Sequence, residues 1–423
     1  MRNTLIHTLV VVLFWGCTSS APVAKREDLS SMYGKGGSGL QVLARVYHTD
    51  ATSSTVHFKL RTRDLLYKSS GEGGPFHAAV QLRYESFPDW GSKTLLDSAS
   101  TLIKDSSDDP ALDKELIGIF PMRSNGQNTF ILKLTATDVN RDNQGVLYFR
   151  VRRSGEDVRQ YFLPLDERTT LPLFQDQVHP GHPVKVRCEA YAGRTLWVGH
   201  LKSDNALPAP VFSSSAGSKN SNTTDSLFSV AVDSSGTFTF EPFTTGVYHF
   251  RPDSASNSGY TLLAMDQSHP IIGTAADMLR PMRYITSVQE YDRMAKAENV
   301  RQAVERFWID AAGDRERARD AIRIYFERVE TANRHFTSDV EGWRTDRGMV
   351  HIIFGQPTSI QKSDISETWI YGEENNLMSL VFTFVKRQSP FTDNQLVLER
   401  DPALKGAWYR NVESWRNGRI YQN

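Results

Sequence analysis

The stretch EGWRTDRGMVHIIFGQP runs from Glu341 to Pro357. A glycine, a tryptophan, a threonine and an aspartate are packed into five positions, Gly342 to Asp346, directly before the apolar run MVHIIF. Residues of this kind close turns: glycine tolerates tight backbone geometry, and threonine and aspartate side chains accept backbone N–H groups. The reading is a turn that delivers the chain into a buried strand. Gly342 permits the backbone conformation, Trp343 packs across a helix–sheet junction, and Thr345 and Asp346 cap the turn. Arg347 pairs with an acid, and Gly348 leaves room for close packing.

The surroundings extend this picture. Upstream, Ser287 and Glu290 form S-x-x-E, a capping box ahead of Val288, Tyr291, Met294, Val300, Val304 and Phe307 at helical spacing. Gly313 suits the stop of that helix. Ala318, Ala321, Ile322, Tyr325, Val329 and Ala332 mark a second one, so an antiparallel helical pair is expected. Downstream, MVHIIF, ETWIYG, LMSLVFTFV and NQLVLERD read as strands of an antiparallel meander, and GAWYRNVESWRNG as a closing helix. The last part, 286–423, is thus read as an α+β domain, with 267–285 as a linker into it.

Gly342-Trp343-x-Thr345-Asp346 resembles the signature of the GWxTD domain family. The similarity takes in YFERVETANRHF before it, and DRGMVHIIFGQPTSI, with Gly355 and Pro357, and ETWIYG after it. It covers roughly the last third of the chain and implies a domain, with no catalytic role attached. A looser similarity, of IIFGQPT, ETWIY and LVFTFV from Ile352 on, is to small lipoprotein domains of outer-membrane assembly, and no residue role is carried over from it.

Ahead of this domain the grammar changes to period two. Val42, Ala44 and Val46; Val56, Phe58 and Leu60; Val80, Leu82 and Tyr84; and Phe130, Leu132 and Leu134 alternate with mostly polar neighbours. Turn-rich segments such as HTDATSS, KSSGEGGP and RSNGQN separate them. Residues 40–155 are therefore expected to form one antiparallel β-sandwich. Residues 156–266 repeat the style in VKVRCEAY, TLWVGHLK, LFSVAVD, TFTFEPF, GVYHFRP and YTLLAMD and are expected to form a second. The fold class is multidomain: two antiparallel β-sandwiches, then the α+β domain. A length of 423 residues fits two or three domains at ~150 residues each.

At the N-terminus, Arg2 precedes an apolar stretch, Leu5 to Trp15, too short to span a bilayer. It ends at Gly16-Cys17, which resembles the lipobox of bacterial lipoproteins. The resemblance implies cleavage after a 1–16 signal peptide and a lipid on Cys17, with 17–39 as tether. An ordinary secretory signal cleaved near Ala21 or Ala24 is the alternative. Thr18 after the cysteine implies, by the same resemblance, the outer membrane, and the chain is expected to face the periplasm.

Charge is balanced, 49 basic against 49 acidic residues, which excludes a global field for nucleic acid. Cys188 shares the buried phase of VKVRCEAY with Val184 and Val186 and is read as an inert core thiol. DVNRDNQG lacks the glycine and closing glutamate of a helical calcium loop and reads as a turn. His179 and His182 lie in the loop HPGHP without further ligands. The DSA and DSL triplets at Asp97, Asp225 and Asp253 resemble a bacterial O-glycosylation sequon and are expected on surface loops. There is no G-x-S-x-G, H-E-x-x-H or P-loop. No catalytic residue, cofactor or metal is assigned. The expected function is non-catalytic: a lipid-anchored envelope protein that binds a protein partner in outer-membrane assembly, secretion or maintenance. The alternatives are a glycan-binding lipoprotein using aromatics such as Trp90 and Trp197, and a hydrolase with a site between domains.

Overall fold

A computed structural model describes residues 28–33 and 40–419, apart from 70, 72–73, 124–125, 155–157, 203–205, 215–223, 374–375 and 377. The expected signal peptide, Cys17 and most of the expected tether lie outside the described residues.

The first sandwich holds β1 (Val42–His48), β2 (Ser54–Arg61), β3 (Lys68–Ser69), β4 (Phe76–Phe87), β5 (Asp97–Ser107), β6 (Glu115–Met122), β7 (Thr129–Asp138) and β8 (Asn143–Arg152). One sheet has the order β1-β2-β6; the other runs β3-β4-β7-β8, with β5 on the free side of β4. The alternating residues do what their period requires: Val56, Phe58 and Leu60 share one apolar cluster with Val80, Leu82, Tyr84, Leu132 and Leu134. β5 is absent from the period-two pattern. Its residues DSASTLIKDSS are half-buried or exposed along its whole length, so an edge pairing of eleven residues with β4 carries no apolar alternation. Asp97 accordingly sits at the start of a strand rather than on a loop, where its carboxylate accepts the Tyr84 hydroxyl at 2.6 Å.

The second sandwich holds β9 (Leu163–Asp166), β10 (Gln177–Val178), β11 (Val184–Arg187), β12 (Thr195–Leu201), β13 (Ser226–Ala231), β14 (Thr237–Phe240), β15 (Gly246–Arg251) and β16 (Tyr260–Ala264). A sheet ordered β10-β16-β15-β12-β13 faces one ordered β14-β11-β9. Cys188 is fully buried between them with Val184, Val186, Phe238 and Phe250. Burial pushes its thiol up to about 12, with the Asp233 carboxylate adding to the shift, so the thiolate is suppressed.

The C-terminal domain begins earlier than the sequence suggests. Residues 267–285 are not a linker: α1 (Ala275–Leu279), capped by a Thr274–Asp277 box, and a 3-10 turn over Arg280–Tyr284 bury Met278, Leu279, Met282 and Tyr284 in the domain core. Then come α2 (Val288–Ala295), α3 (Val300–Ala312), α4 (Arg315–Phe336), α5 (Asp346–Phe354), β17 (Ser359–Lys362), β18 (Ser366–Tyr371), β19 (Leu380–Lys386), β20 (Leu396–Leu398) and α6 (Lys405–Arg416). The Ser287–Glu290 capping box is present. The single helix expected from Val288 onward is two, because Asn299 caps a new start with its side chain on the Gln302 N–H at 3.0 Å. Gly313 ends α3 at φ +68°, and α4 packs back on α3 as the antiparallel partner. Four strands form an antiparallel meander, β17-β18-β19-β20; the last three fall in expected strands, whereas its first is Ser359–Lys362 and not the expected MVHIIF.

Two parts of the chain outside this domain enter its core. Leu29 and Tyr33, from the stretch expected to be tether, and Val211 from the second sandwich are buried in the same apolar cluster as Trp308, Trp343 and Trp369. The β19–β20 loop makes the reverse contact. Phe391 packs with Leu201, Val247, Leu263 and Met265 of the second sandwich. Asp393 beside it pairs with Arg152 at 3.0 Å, Lys386 at 3.1 Å and Arg159 at 3.2 Å. Burial alone would raise that carboxyl; the three cations outweigh it and hold it well below the usual carboxylate range.

Candidate functional site

The Gly342–Asp346 turn is built against the last turn of α4. Thr337 accepts the Gly342 N–H at 3.0 Å, Asn333 accepts the Trp343 N–H at 3.1 Å, and the Tyr284 hydroxyl donates to the Trp343 carbonyl at 2.8 Å. The Trp343 ring meets that of Tyr284 edge-on, with centroids 6.1 Å apart. Gly342 is needed for closeness rather than for an unusual dihedral: a Cβ there would stand 1.9 Å from the Ala332 carbonyl oxygen. Gly348 behaves the same way, its Cβ falling 1.9 Å from the Gly342 oxygen. The two glycines let α4, the turn and α5 touch backbone to backbone.

The segment after the turn is a helix, and the expected strand MVHIIF is corrected. Thr345 is the N-cap of α5. Its hydroxyl accepts the Gly348 N–H at 3.0 Å and donates to the Gly342 oxygen at 2.8 Å. Every residue of α5 is buried, so its sequence has no polar face by which a helical period would show. At its far end Gly355 has φ +85°, a conformation that favours glycine. Arg328 donates to the Ile352 carbonyl at 3.2 Å, and the Tyr371 hydroxyl to the Gly355 carbonyl at 2.9 Å. Pro357 follows in the turn to β17.

Contrary to the expectation from the sequence, Asp346 does not cap the turn. It reaches across to β20, accepting the Leu398 N–H at 2.8 Å and the Arg400 guanidinium at 2.6 Å. Burial raises its pKa, against the opposing pull of Arg400. Arg400 also donates to the Ala209 carbonyl at 3.1 Å, and Arg344, paired with Glu341 at 2.6 Å, to that of Ala206 at 3.4 Å. The motif therefore holds the second sandwich through two arginines.

Arg347 finds the acid expected of it, Glu367 at 3.5 Å, with both side chains almost wholly buried. It lies 5.0 Å over the Phe336 ring and donates to the Asn394 carbonyl at 2.8 Å. Glu367 is surrounded by donors: Trp369 Nε1 at 2.7 Å, Lys362 Nζ at 3.1 Å and the Tyr33 hydroxyl at 3.1 Å. Burial pushes its pKa up, but Lys362 and Arg347 outweigh it and the net shift is down. For Lys362, Tyr33 and Glu367 outweigh burial, and its pKa is raised. His351 is driven to about 3 by burial and by Arg328, and His335 to about 4 by burial and Arg334, so both imidazoles are neutral at pH 7. Sequence reasoning missed Lys362, Glu367, Asn394 and Arg400. Polar residues scattered over two strands, the β19–β20 loop and the segment after β20 give no local signal that they converge.

The motif is a packed joint, not the floor of a cleft. Beside Trp343, a pit of about 20 Å³ among Asp266, Asp277, Arg280, Asn333 and Glu341 has room for about one water. The remaining candidates stay apart. His182 lies 3.7 Å from Asp166 and His179 at 3.4 Å from the Met265 carbonyl. Asp138 is wholly buried and accepts the N–H groups of Leu66 at 2.7 Å and Asn140 at 2.9 Å, as a turn requires. Among the described residues no three His, Cys, Asp or Glu are arranged to hold a metal. Trp90 packs on Tyr148, with centroids 5.5 Å apart, and Trp197 is partly exposed on β12.

Residues 246–417 match the sequence profile of the GWxTD domain family. The C-terminal region is a GWxTD domain. The match starts at the first residue of β15, so β15 and β16 of the second sandwich belong to the matched unit, in keeping with Phe391 packing on Val247 and Leu263. No curated protein matches the chain. Similar solved structures include a calcium-binding mutant of Bacteroides uniformis beta-glucuronidase 2 (12% identity, TM-score 0.17, covering 26% of this chain and 13% of that one). Red sea bream transglutaminase is another (11%, 0.19, 54% and 31%). BcpA, the major pilin subunit of Bacillus cereus, is a third (9%, 0.15, 50% and 57%). The chain spans well under two thirds of each of them, and scores this low carry no argument about the GWxTD domain or its neighbours.

Proposed function

We propose that the chain is a non-catalytic, lipid-anchored envelope protein that binds a protein partner in outer-membrane assembly, secretion or maintenance. One observation supports this above the others. The side chains of the GWxTD motif are spent on internal bonds: Asp346 on Leu398 and Arg400, Arg347 on Glu367 and Asn394, and Thr345 on the start of α5. Groups committed in this way hold surfaces in place, and here they hold the helical pair, the meander and the second sandwich together. Such a joined body offers a fixed platform for a partner. The anchor in this reading is Cys17, and the site of action the periplasmic face of the outer membrane. No described helix is long and apolar enough to cross a membrane, a statement that does not bear on β-barrels.

Two experiments separate the parts of the proposal. Labelled palmitate should enter the chain and be lost in Cys17→Ala; labelling that persists in the variant sinks the lipid anchor. Crosslinking and mass spectrometry in intact envelopes should yield a reproducible partner, and a chain that crosslinks to nothing removes the binding role.

A further inference from the structure

We propose that the groove filled by residues 28–33 is a peptide-docking site, which a partner protein occupies by displacing this segment with one of the same chemistry. The inference deepens the partner-binding reading and rests on it. The segment lies along the outer edge of β17, the end strand of the meander. Leu29 donates its N–H to the Ile360 carbonyl at 3.0 Å, and Ile360 returns its own N–H to the Asp28 carboxylate at 2.9 Å. One main-chain bond and one carboxylate bond thus fix the segment to a free sheet edge, a place where peptides dock with pockets for particular side chains supplying the specificity.

The pocket here is a slot for Tyr33. After Leu29 the chain makes a 3-10 turn over Ser30–Tyr33, which drops the tyrosine ring edge-on against Phe336 with centroids 4.9 Å apart. Lys362 lies 5.0 Å over the same ring. At the base of the slot the hydroxyl takes a hydrogen bond from Lys362 at 2.7 Å and gives one to Glu367 at 3.1 Å. An aromatic wall with a few placed polar groups at its end is the anatomy of a recognition site. A phenylalanine fits the wall but leaves the buried Lys362 ammonium without that acceptor, so the slot discriminates for the hydroxyl.

Residues 34–39, sequence GKGGSG, connect the occupant to the first sandwich along the chain. It is held by the two edge bonds, by Gln356 donating to the Ser30 carbonyl at 3.2 Å, and by two buried side chains, Leu29 and Tyr33. A tethered ligand of this size keeps its place chiefly through high effective concentration, and a partner that adds contacts elsewhere competes with it. The partner segment carries a carboxylate, an aliphatic residue directly after it, and a tyrosine four residues further on.

The test replaces GKGGSG in the full chain with a specific protease site and cuts it after folding. A fluorescent peptide EDLSSMYG, residues 27–34, is then titrated by anisotropy. The cut chain should bind it at least tenfold more tightly than the uncut chain, and the Tyr33→Phe peptide at least tenfold more weakly. A cut chain that keeps its tryptophan spectrum, loses residues 28–33 and takes no peptide overturns the proposal. So does one that unfolds on cutting, because the segment is then a structural part. Partner crosslinks from intact envelopes with no peptide binding would remove this groove while leaving the partner-binding reading standing.

Discussion

The second sandwich and the GWxTD domain have interiors built on opposite plans. Between β11, β14 and β15 the core is Val184, Val186, Cys188, Phe238 and Phe250, apolar groups that need no partner. Inside the GWxTD domain, Arg347–Glu367 and Arg400–Asp346 are ion pairs in which both side chains are less than a tenth exposed. Among the described residues no ion pair of the sandwiches is so deeply buried on both sides. An apolar core tolerates substitutions of similar volume, whereas a buried ion pair is neutral at best when intact and strongly destabilising when halved. The GWxTD domain has therefore traded forgiveness for a fixed arrangement.

The largest expected effect breaks the ion pair from one side. Arg347→Met leaves Glu367 buried with one cation fewer and should destabilise the domain by about 3–5 kcal/mol. Guanidinium unfolding followed by tryptophan fluorescence measures it well, since Trp308, Trp343, Trp369, Trp408 and Trp415 all lie in this domain. Removing every charge of the cluster sharpens the comparison. Arg347→Met with Glu367→Gln and Lys362→Met should cost less than the sum of the three single losses, because no unmatched charge remains; additive losses would mean that the cluster does not act as a unit.

Acid should act on the same interior. His351 sits at about 3 in the fold against 6.5 as an ordinary imidazole. Between those values the unfolded chain takes up a proton that the folded chain refuses. Stability is thus full above pH 6.5 and lost as the pH falls. From pH 7 to 5 this one residue contributes a loss of about 2 kcal/mol, which His351→Gln should remove. An unchanged slope in the variant would assign the acid sensitivity elsewhere. The smallest effect belongs to the apolar core. Cys188→Ala should cost about 1 kcal/mol, with little dependence on pH between 5 and 8, because its thiol is pushed up to about 12.

The same contrast explains what could be read from the sequence. Sandwich strands with one buried face announce themselves through alternation, as Val80, Leu82 and Tyr84 do. The edge strand β5, polar along its length, does not. Capping signals were legible where they are local, at Ser287 with Glu290 and at Gly313. The helix α5 was not, because burial on all sides erases its period and the cap on Thr345 resembles any turn. The GWxTD motif was visible as a motif, and the roles of Gly348 and Arg347 followed from residue type. Its partners Glu367, Asn394 and Arg400 were not, since they come together only when β18, the β19–β20 loop and the segment after β20 have folded around it. The clasp by Leu29 and Tyr33 was hidden for a further reason: six residues between polar and glycine-rich stretches carry too little pattern to mark them as core.

The central claim is that the GWxTD motif is a packed joint whose residues hold the domain together. Trp343→Ala in the full chain tests it most directly, with unfolding and envelope crosslinking measured on the same preparation. The structure predicts a lower melting temperature or yield, with partner capture falling in proportion to the folded fraction. A variant with unchanged melting that has lost only its partner would contradict it, and would make Trp343 a contact residue instead.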